Sequence, residues 1–145
     1  MFSAPFSPQA SRSRQFIGVY QQVDVQTAIE DASAHQLVTL LFDGFVAAVN
    51  RARGAMRKAD IEAKGKAIGH AARIVDEGLK SALDLRAGGK LAADLSELYA
   101  YICLRLTQAN LRNDERALDE CLGLMQPLRE AWSAIGTHAD VRAHN

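Results

Sequence analysis

Four histidines and two cysteines are the residues of this 145-residue chain best suited to hold a metal or attack a substrate. Their spacing argues against both. His35, His70, His138 and His144 are scattered, and Cys103 and Cys121 stand outside any C-x-x-C pattern, whereas a zinc site needs clustered Cys and His. A bundle di-iron centre needs Glu-x-x-His on facing helices, and no glutamate here is followed by histidine three residues later. His70 would be the candidate of a histidine phosphotransfer domain. The residues after it, Ala71, Ala72 and Arg73, lack the Lys-Gly that such domains share. There is no phosphate-binding glycine loop, and spacing pairs no nucleophile with a base. The residues therefore argue for no enzyme, no metal and no cofactor. The cysteines read as buried thiols of a reducing compartment.

Seventeen basic and seventeen acidic residues balance to zero net charge. No basic stripe stands out, which disfavours nucleic acid. Nothing approaches the ~18 consecutive apolar residues of a membrane span, and residues 1–14 hold no continuous apolar run of a secretory signal. The expectation is a cytoplasmic protein.

The elements that would position these side chains are helices. Residues 1–25 read as a flexible arm: its first part is rich in Ser and Pro, with Arg12 and Arg14 and no acid. The stretch from Phe16 to Val25 is too apolar for a solvated tail. It is either a permanent part of the core or a detachable flap over a groove. Residues 26–136 read as one bundle domain. Ser33 and Gln36 fit a capping box, so a first helix is expected from there to about Arg57, with Leu37, Leu41, Phe45, Ala48, Val49, Ala52 and Met56 inward. Gly44 in mid-helix costs ~1 kcal/mol against Ala and suggests a close helix–helix approach. Asp60 caps a second helix to about Ala87, with Ile61, Ile68, Ala72, Val75, Leu79 and Leu83 inward. Gly88-Gly89 closes it and a third helix follows to Asn113. Asn113-Asp114 caps the fourth, which carries a heptad seam of Leu118, Cys121, Met125, Leu128, Trp132 and Ile135. Pro127 is expected to kink it. Residues 137–145 read as a frayed tail. The fold class is all-α, an antiparallel four-helix bundle with a flexible N-terminal segment.

Apolar residues exceed what such a core requires. On the third helix Leu91, Leu95, Leu98, Ile102, Leu106 and Ala109 form one stripe at 100° per residue. Ala100, Tyr101, Leu104 and Leu111 lie well round from it. Leu40 and Val46 leave the stripe of the first helix, and Ile74 and Leu85 flank that of the second, with Gly78 between them. Leftover apolar surface on several helices indicates a partner or an oligomer contact, and its natural ligand is an amphipathic or partly disordered peptide laid in interhelical grooves. Tyr99 and Tyr101 point from opposite flanks of the third helix, Tyr99 nearer the core and Tyr101 nearer a client. Asn110, on the Tyr99 side, either caps a carbonyl within the fold or bonds a ligand backbone.

Several residues together resemble one family. They are Gln36-Leu37, Leu41-Phe42-Asp43-Gly44, Gly88-Gly89, Leu95-x-x-Leu98-Tyr99-x-Tyr101, Ala109-Asn110-Leu111-x-Asn113-Asp114 and Ala131-Trp132 with Ile135. In this order and spacing, from about Tyr20 to Ile135, the chain resembles the flagellar export chaperone family FliS. Ala34 replaces a frequent Pro and Ala100 a frequent Asp between the two tyrosines. The resemblance implies a bundle that binds the C-terminal segment of flagellin, prevents premature polymerisation and delivers it to the type III export gate. It also implies an N-terminal segment able to occupy part of the same surface. Partner contacts are then expected from Tyr20, Leu40, Phe42, Val46, Tyr99, Tyr101, Leu104, Asn110 and Leu111. A generic helical adaptor, or a bundle that homodimerises when no client is present, is the competing expectation.

Overall fold

The structure, a computed structural model, describes Phe16, Val19 and residues 28–144, with side chains described for Phe16, Val19 and residues 34–136. Most of the expected arm, residues 1–25, and Tyr20 within it therefore lie outside the described residues.

Among the described residues four helical elements follow one another: α1 is Ala28–Arg57, α2 begins as Ile61–Arg73 and runs on as the π-helix Ile74–Lys80, α3 is Gly89–Arg112 and α4 is Glu115–His144. There is no strand among the described residues. Each helix packs on the next, and α4 closes the ring against α1, leaving α1 and α3 on one diagonal and α2 and α4 on the other. The connections are short and the neighbours antiparallel. Arg57 meets Glu115 at 2.6 Å, Arg53 meets Asp119 at 3.2 Å and Asp43 meets Arg129 at 2.8 Å. Each step back along α1 is matched by an equal step forward along α4, so these pairs hold one register. Exposed pairs of this kind contribute about 0–1 kcal/mol each. Burial supplies the stability: Phe42, Phe45, Leu79, Tyr99, Ile102, Leu106, Leu118 and Met125 are all fully enclosed.

The caps are local. Asp60 accepts from the Ala63 amide at 3.1 Å to open α2, and Asp114 accepts from the Arg116 amide at 3.0 Å to open α4. Asn113 closes α3 in the left-handed region, φ 52°. The buried Lys64 donates to the Asn110 carbonyl at 3.1 Å and to Asn113 Oδ1 at 3.2 Å. A cation at a helix C-terminus faces the negative end of the helix dipole, so one α2 side chain pins the end of α3.

Five expectations change. Helix α1 starts at Ala28, not Ser33, because no Gly or Pro in Ala28–Ala32 stops the helix growing past the capping box. Its buried line is Val38, Phe42, Phe45, Val49 and Ala52, one residue on from the expected line at its start. Leu37 is exposed and Leu41 packs toward α2, where its Cδ2 lies 2.9 Å from where a Gly78 Cβ would be. Helix α2 ends at Lys80 rather than near Ala87, so residues 81–88 form the connection and the glycine pair does not close a helix. Ile61 is exposed because it sits in the first turn, beyond the edge of the core. Helix α4 runs through Pro127 and past Gly136 to His144, beyond the end expected for it near Ile135. The close approach expected at Gly44 is present, with Ile74 Cδ1 3.2 Å from where its Cβ would be.

Candidate functional site

Helix α3 reaches the surface along Ala100, Leu104, Thr107 and Leu111, spaced four, three and four, so they fall on one line. All four are exposed, Leu104 at 53 % and Leu111 at 79 %. Tyr101 lies beside that line, 41 % exposed, on the side facing α4. On the opposite corner of the bundle α1 exposes Leu37 and Leu40, the latter at 66 %. Leu85, in the α2–α3 connection, is exposed as well. The surplus apolar surface is thus real and divided between two diagonal helices.

Other expected contact residues lie elsewhere. Phe42 and Tyr99, both expected among the partner contacts, are core side chains, at most 1 % exposed, and Tyr99 lies on the core side, where its angle on α3 set it. Phe42 follows Val38 by four residues and points inward with it, and Tyr99 keeps the phase of Leu95 and Ile102. Val46 is half-buried against the core. Asn110 is half-buried, and its carbonyl accepts from Lys64.

A polar network missed at sequence level supports Tyr101. Its hydroxyl donates to Glu120 Oε2, Arg105 Nε donates to Glu120 Oε1 at 2.7 Å, and Arg105 Nη1 donates to Gln108 Oε1. The hydrogen bond to the Glu120 carboxylate pushes the Tyr101 hydroxyl above its ordinary range, with partial burial acting in the same direction. Hydrogen bonds from Tyr101 and then Arg105 hold Glu120 below the usual carboxylate range. The ring of Tyr101 is therefore fixed while one face stays in contact with solvent. The only signal of this in the sequence is the spacing of Tyr101, Arg105 and Gln108 along one flank of α3.

Groups suited to reactive chemistry are occupied structurally. Cys121 is buried, and its thiol is pushed up to about 12 mainly by burial. Cys103, half-buried, is raised for the same reason. Among the described residues no group of three His, Cys, Asp or Glu is placed to hold a metal, and no helix is long and apolar enough to cross a membrane. His35 stacks on Trp132 with ring centroids 4.6 Å apart and 8° between planes. Its Nε2 donates to the Trp132 carbonyl at 2.9 Å, and Trp132 Nε1 donates to the His35 carbonyl at 3.1 Å. His70 is exposed on α2.

The N-terminal segment touches one end of the bundle. Phe16 meets Trp132 edge-on, centroids 5.1 Å apart at 72°. Val19 is fully buried, and its carbonyl accepts from the Asp84 amide at 2.6 Å. Val19 Cγ1 lies 2.7 Å from where a Gly88 Cβ would be, so this contact requires glycine there. Between α1 and α4, beside Trp132, a groove of about 520 Å³ is lined by Thr39, Phe42, Asp43, Arg129, Glu130 and Trp132, among others.

Fold and surface together define a helical bundle whose outer helices carry apolar surface of the kind used for binding. The sequence profile of the family described as "Flagellar protein FliS" matches residues 17–139, and the chain belongs to that family. It is 48 % identical over 123 residues to the flagellar secretion chaperone FliS of Salmonella typhimurium, covering 85 % of this chain and 91 % of that protein. It is 41 % identical over 116 residues to the flagellar secretion chaperone FliSB of Pseudomonas aeruginosa, covering 80 % and 91 %. The flagellar secretion chaperone FliS of Escherichia coli K12 is 41 % identical over 113 residues, covering 78 % and 83 %.

Proposed function

We propose that the protein is a cytoplasmic export chaperone that binds the C-terminal segment of flagellin, keeps it from polymerising and presents it to the type III flagellar export apparatus. Relatives that span most of both chains carry the name flagellar secretion chaperone, and the role is that of a binding protein, not an enzyme. The observation that carries the reading is the apolar line on α3, Ala100–Leu104–Leu111, matched by Leu37 and Leu40 on the diagonal helix.

Two apolar surfaces on opposite corners suit a long segment that crosses several grooves. Folding such a segment on binding consumes ~2–5 kcal/mol or more of the gross interaction. The surface therefore has to be broad, and the moderate net affinity that remains allows release. Tyr101 offers an anchored ring at the border of the apolar line, with its hydroxyl already satisfied by Glu120. Leu40, Tyr101, Leu104 and Leu111 are the proposed main contacts, with Val46 and Asn110 at the margins. The segment around Phe16 and Val19 acts as a flap that lies on the bundle and adjusts when the client arrives. With no client present, the same apolar faces pair in a homodimer.

Co-purification tests the reading. Full-length flagellin is expected to be retained by the immobilised protein, and flagellin lacking its C-terminal segment is expected to be lost. Equal retention of both forms excludes the C-terminal segment as the ligand.

A further inference from the structure

Lys64 is a charged residue on the apolar face of α2. It shares that face with Ala67, Ile68 and Ala71, and only 7 % of it is exposed. A methionine there would fill similar space without the cost of taking an ammonium out of water. What the lysine adds is a hold on the end of α3. The amides of Asn113 and Asp114 both donate to the Ala109 carbonyl, so the backbone cap leaves the Asn110 carbonyl open. Lys64 Nζ donates to that carbonyl at 3.1 Å and to Asn113 Oδ1 at 3.2 Å. We propose that Lys64 is a positioning residue for the client, holding the last turn of α3 so that Leu111 meets the client in phase with Leu104. The proposal deepens the function given above and rests on the reading of the α3 line as the client surface.

The two leucines differ in how much holds them. Leu104 stands in mid-helix between the buried Ile102 and Leu106, and its backbone is fixed by the core. Leu111 sits in the last turn, followed by Arg112 and Asn113, and all three are exposed. The final carbonyls of a helix have no onward partner, and helices fray there. Seven residues separate the leucines, so they face the same way only while the backbone between them stays helical. Lys64 supplies the missing hold from a rigid base. Its own amide donates to the Asp60 carbonyl at 3.0 Å, and Asp60 caps that turn through the Ala63 amide at 3.1 Å. The stem therefore leaves a fixed first turn of α2, and its charge faces the negative end of the α3 dipole. A last turn ordered before the client arrives removes that ordering cost from binding.

Lys64→Met keeps the stem and removes the ammonium. In the whole chain without client, the amides of residues 110–113 are expected to exchange about tenfold faster than in the parent, and those of residues 99–106 to keep their rates. Unchanged exchange in the last turn, or an equal acceleration throughout α3, overturns the proposal. Titration of the flagellin C-terminal segment gives the readout that a merely structural role would not move. In the parent, Leu104→Ala and Leu111→Ala are each expected to weaken binding about fivefold. In Lys64→Met the Leu104→Ala factor is expected to persist and the Leu111→Ala factor to fall below about twofold. Equal Leu111→Ala factors in both backgrounds overturn the positioning role alone. A parent in which neither leucine matters overturns instead the reading of the α3 line as the client surface. If Lys64→Met does not fold, the parent decides: the Lys64 ammonium protons are expected to exchange slowly and to couple through the hydrogen bond to the Asn110 carbonyl. Exchange as fast as at the exposed Lys66 ammonium contradicts the proposal.

Discussion

The end of the bundle around Trp132 and the outer line of α3 use apolar residues in opposite ways. At the Trp132 end, polar groups and rings meet partners: His35 and Trp132 exchange hydrogen bonds between α1 and α4, Phe16 covers the indole, and Val19 fits against Gly88. Space there is so tight that a Cβ on Gly136 would collide with the His35 ring. Along α3, Leu104 and Leu111 expose more than half of their surface to solvent, and a mobile, replaceable contact is what such a surface suits. The contrast separates residues that specify the fold from residues free to serve a partner. It also gives an order of expected mutational effects.

The largest effect belongs to the closed end. Trp132→Ala removes a buried indole and is expected to cost ~3–5 kcal/mol, read as a lower urea midpoint. Gly136→Ala places a methyl against an imidazole held by the Trp132 carbonyl. The loss expected is ~1–3 kcal/mol, and His35→Ala in the same chain should return most of it. On the open line, Leu104→Ala with Leu111→Ala is expected to shift stability by no more than ~0.5 kcal/mol per site. A large loss there would mean that the line is core and not a binding surface.

Smallest is the pH effect of the Tyr101 network. Glu120 is held below its ordinary range by Tyr101 and Arg105, so its contribution is present above the ordinary glutamate range and is lost as pH falls through the lowered value. Tyr101 is raised by Glu120; its contribution is complete below the ordinary tyrosine range and is lost as pH rises through the raised value. Thermal unfolding against pH in Glu120→Gln should therefore show a flatter acid limb than the parent. Identical acid limbs would mean that the network adds nothing to stability.

Much of the bundle was legible in the sequence because its helices obey simple period rules. The α3 stripe through Leu95, Ile102 and Leu106, the α4 seam and the Asp60 and Asp114 caps all stand as read. The start of α1 was not, because Leu37-Val38 and Leu41-Phe42 offer two adjacent apolar lines. Only tertiary packing decides that the second faces the core. The π-helix was missed although a trace of it is present: Ala67, Ala71, Val75, Leu79 and Leu83 are all buried at a constant spacing of four. In an α-helix that spacing drifts by about 40° per step. The wider turn of a π-helix absorbs the drift and keeps Val75 and Leu79 facing inward. Of the site, exposure at Leu40, Tyr101, Leu104 and Leu111 followed from phase alone. Phe42 and Tyr99 were counted among the partner contacts, although the angle of Tyr99 on α3 already set it nearer the core, and burial places both inside. The Tyr101–Glu120 contact joins two helices, and no local pattern reveals it.

The central claim is that the α3 line holds the flagellin C-terminal segment. Titration calorimetry of that segment into the parent and into Tyr101→Ala with Leu104→Ala tests it most directly. The expected result is affinity at least about tenfold weaker, roughly 1.4 kcal/mol, with helicity unchanged by circular dichroism. Equal affinity for both proteins would contradict it.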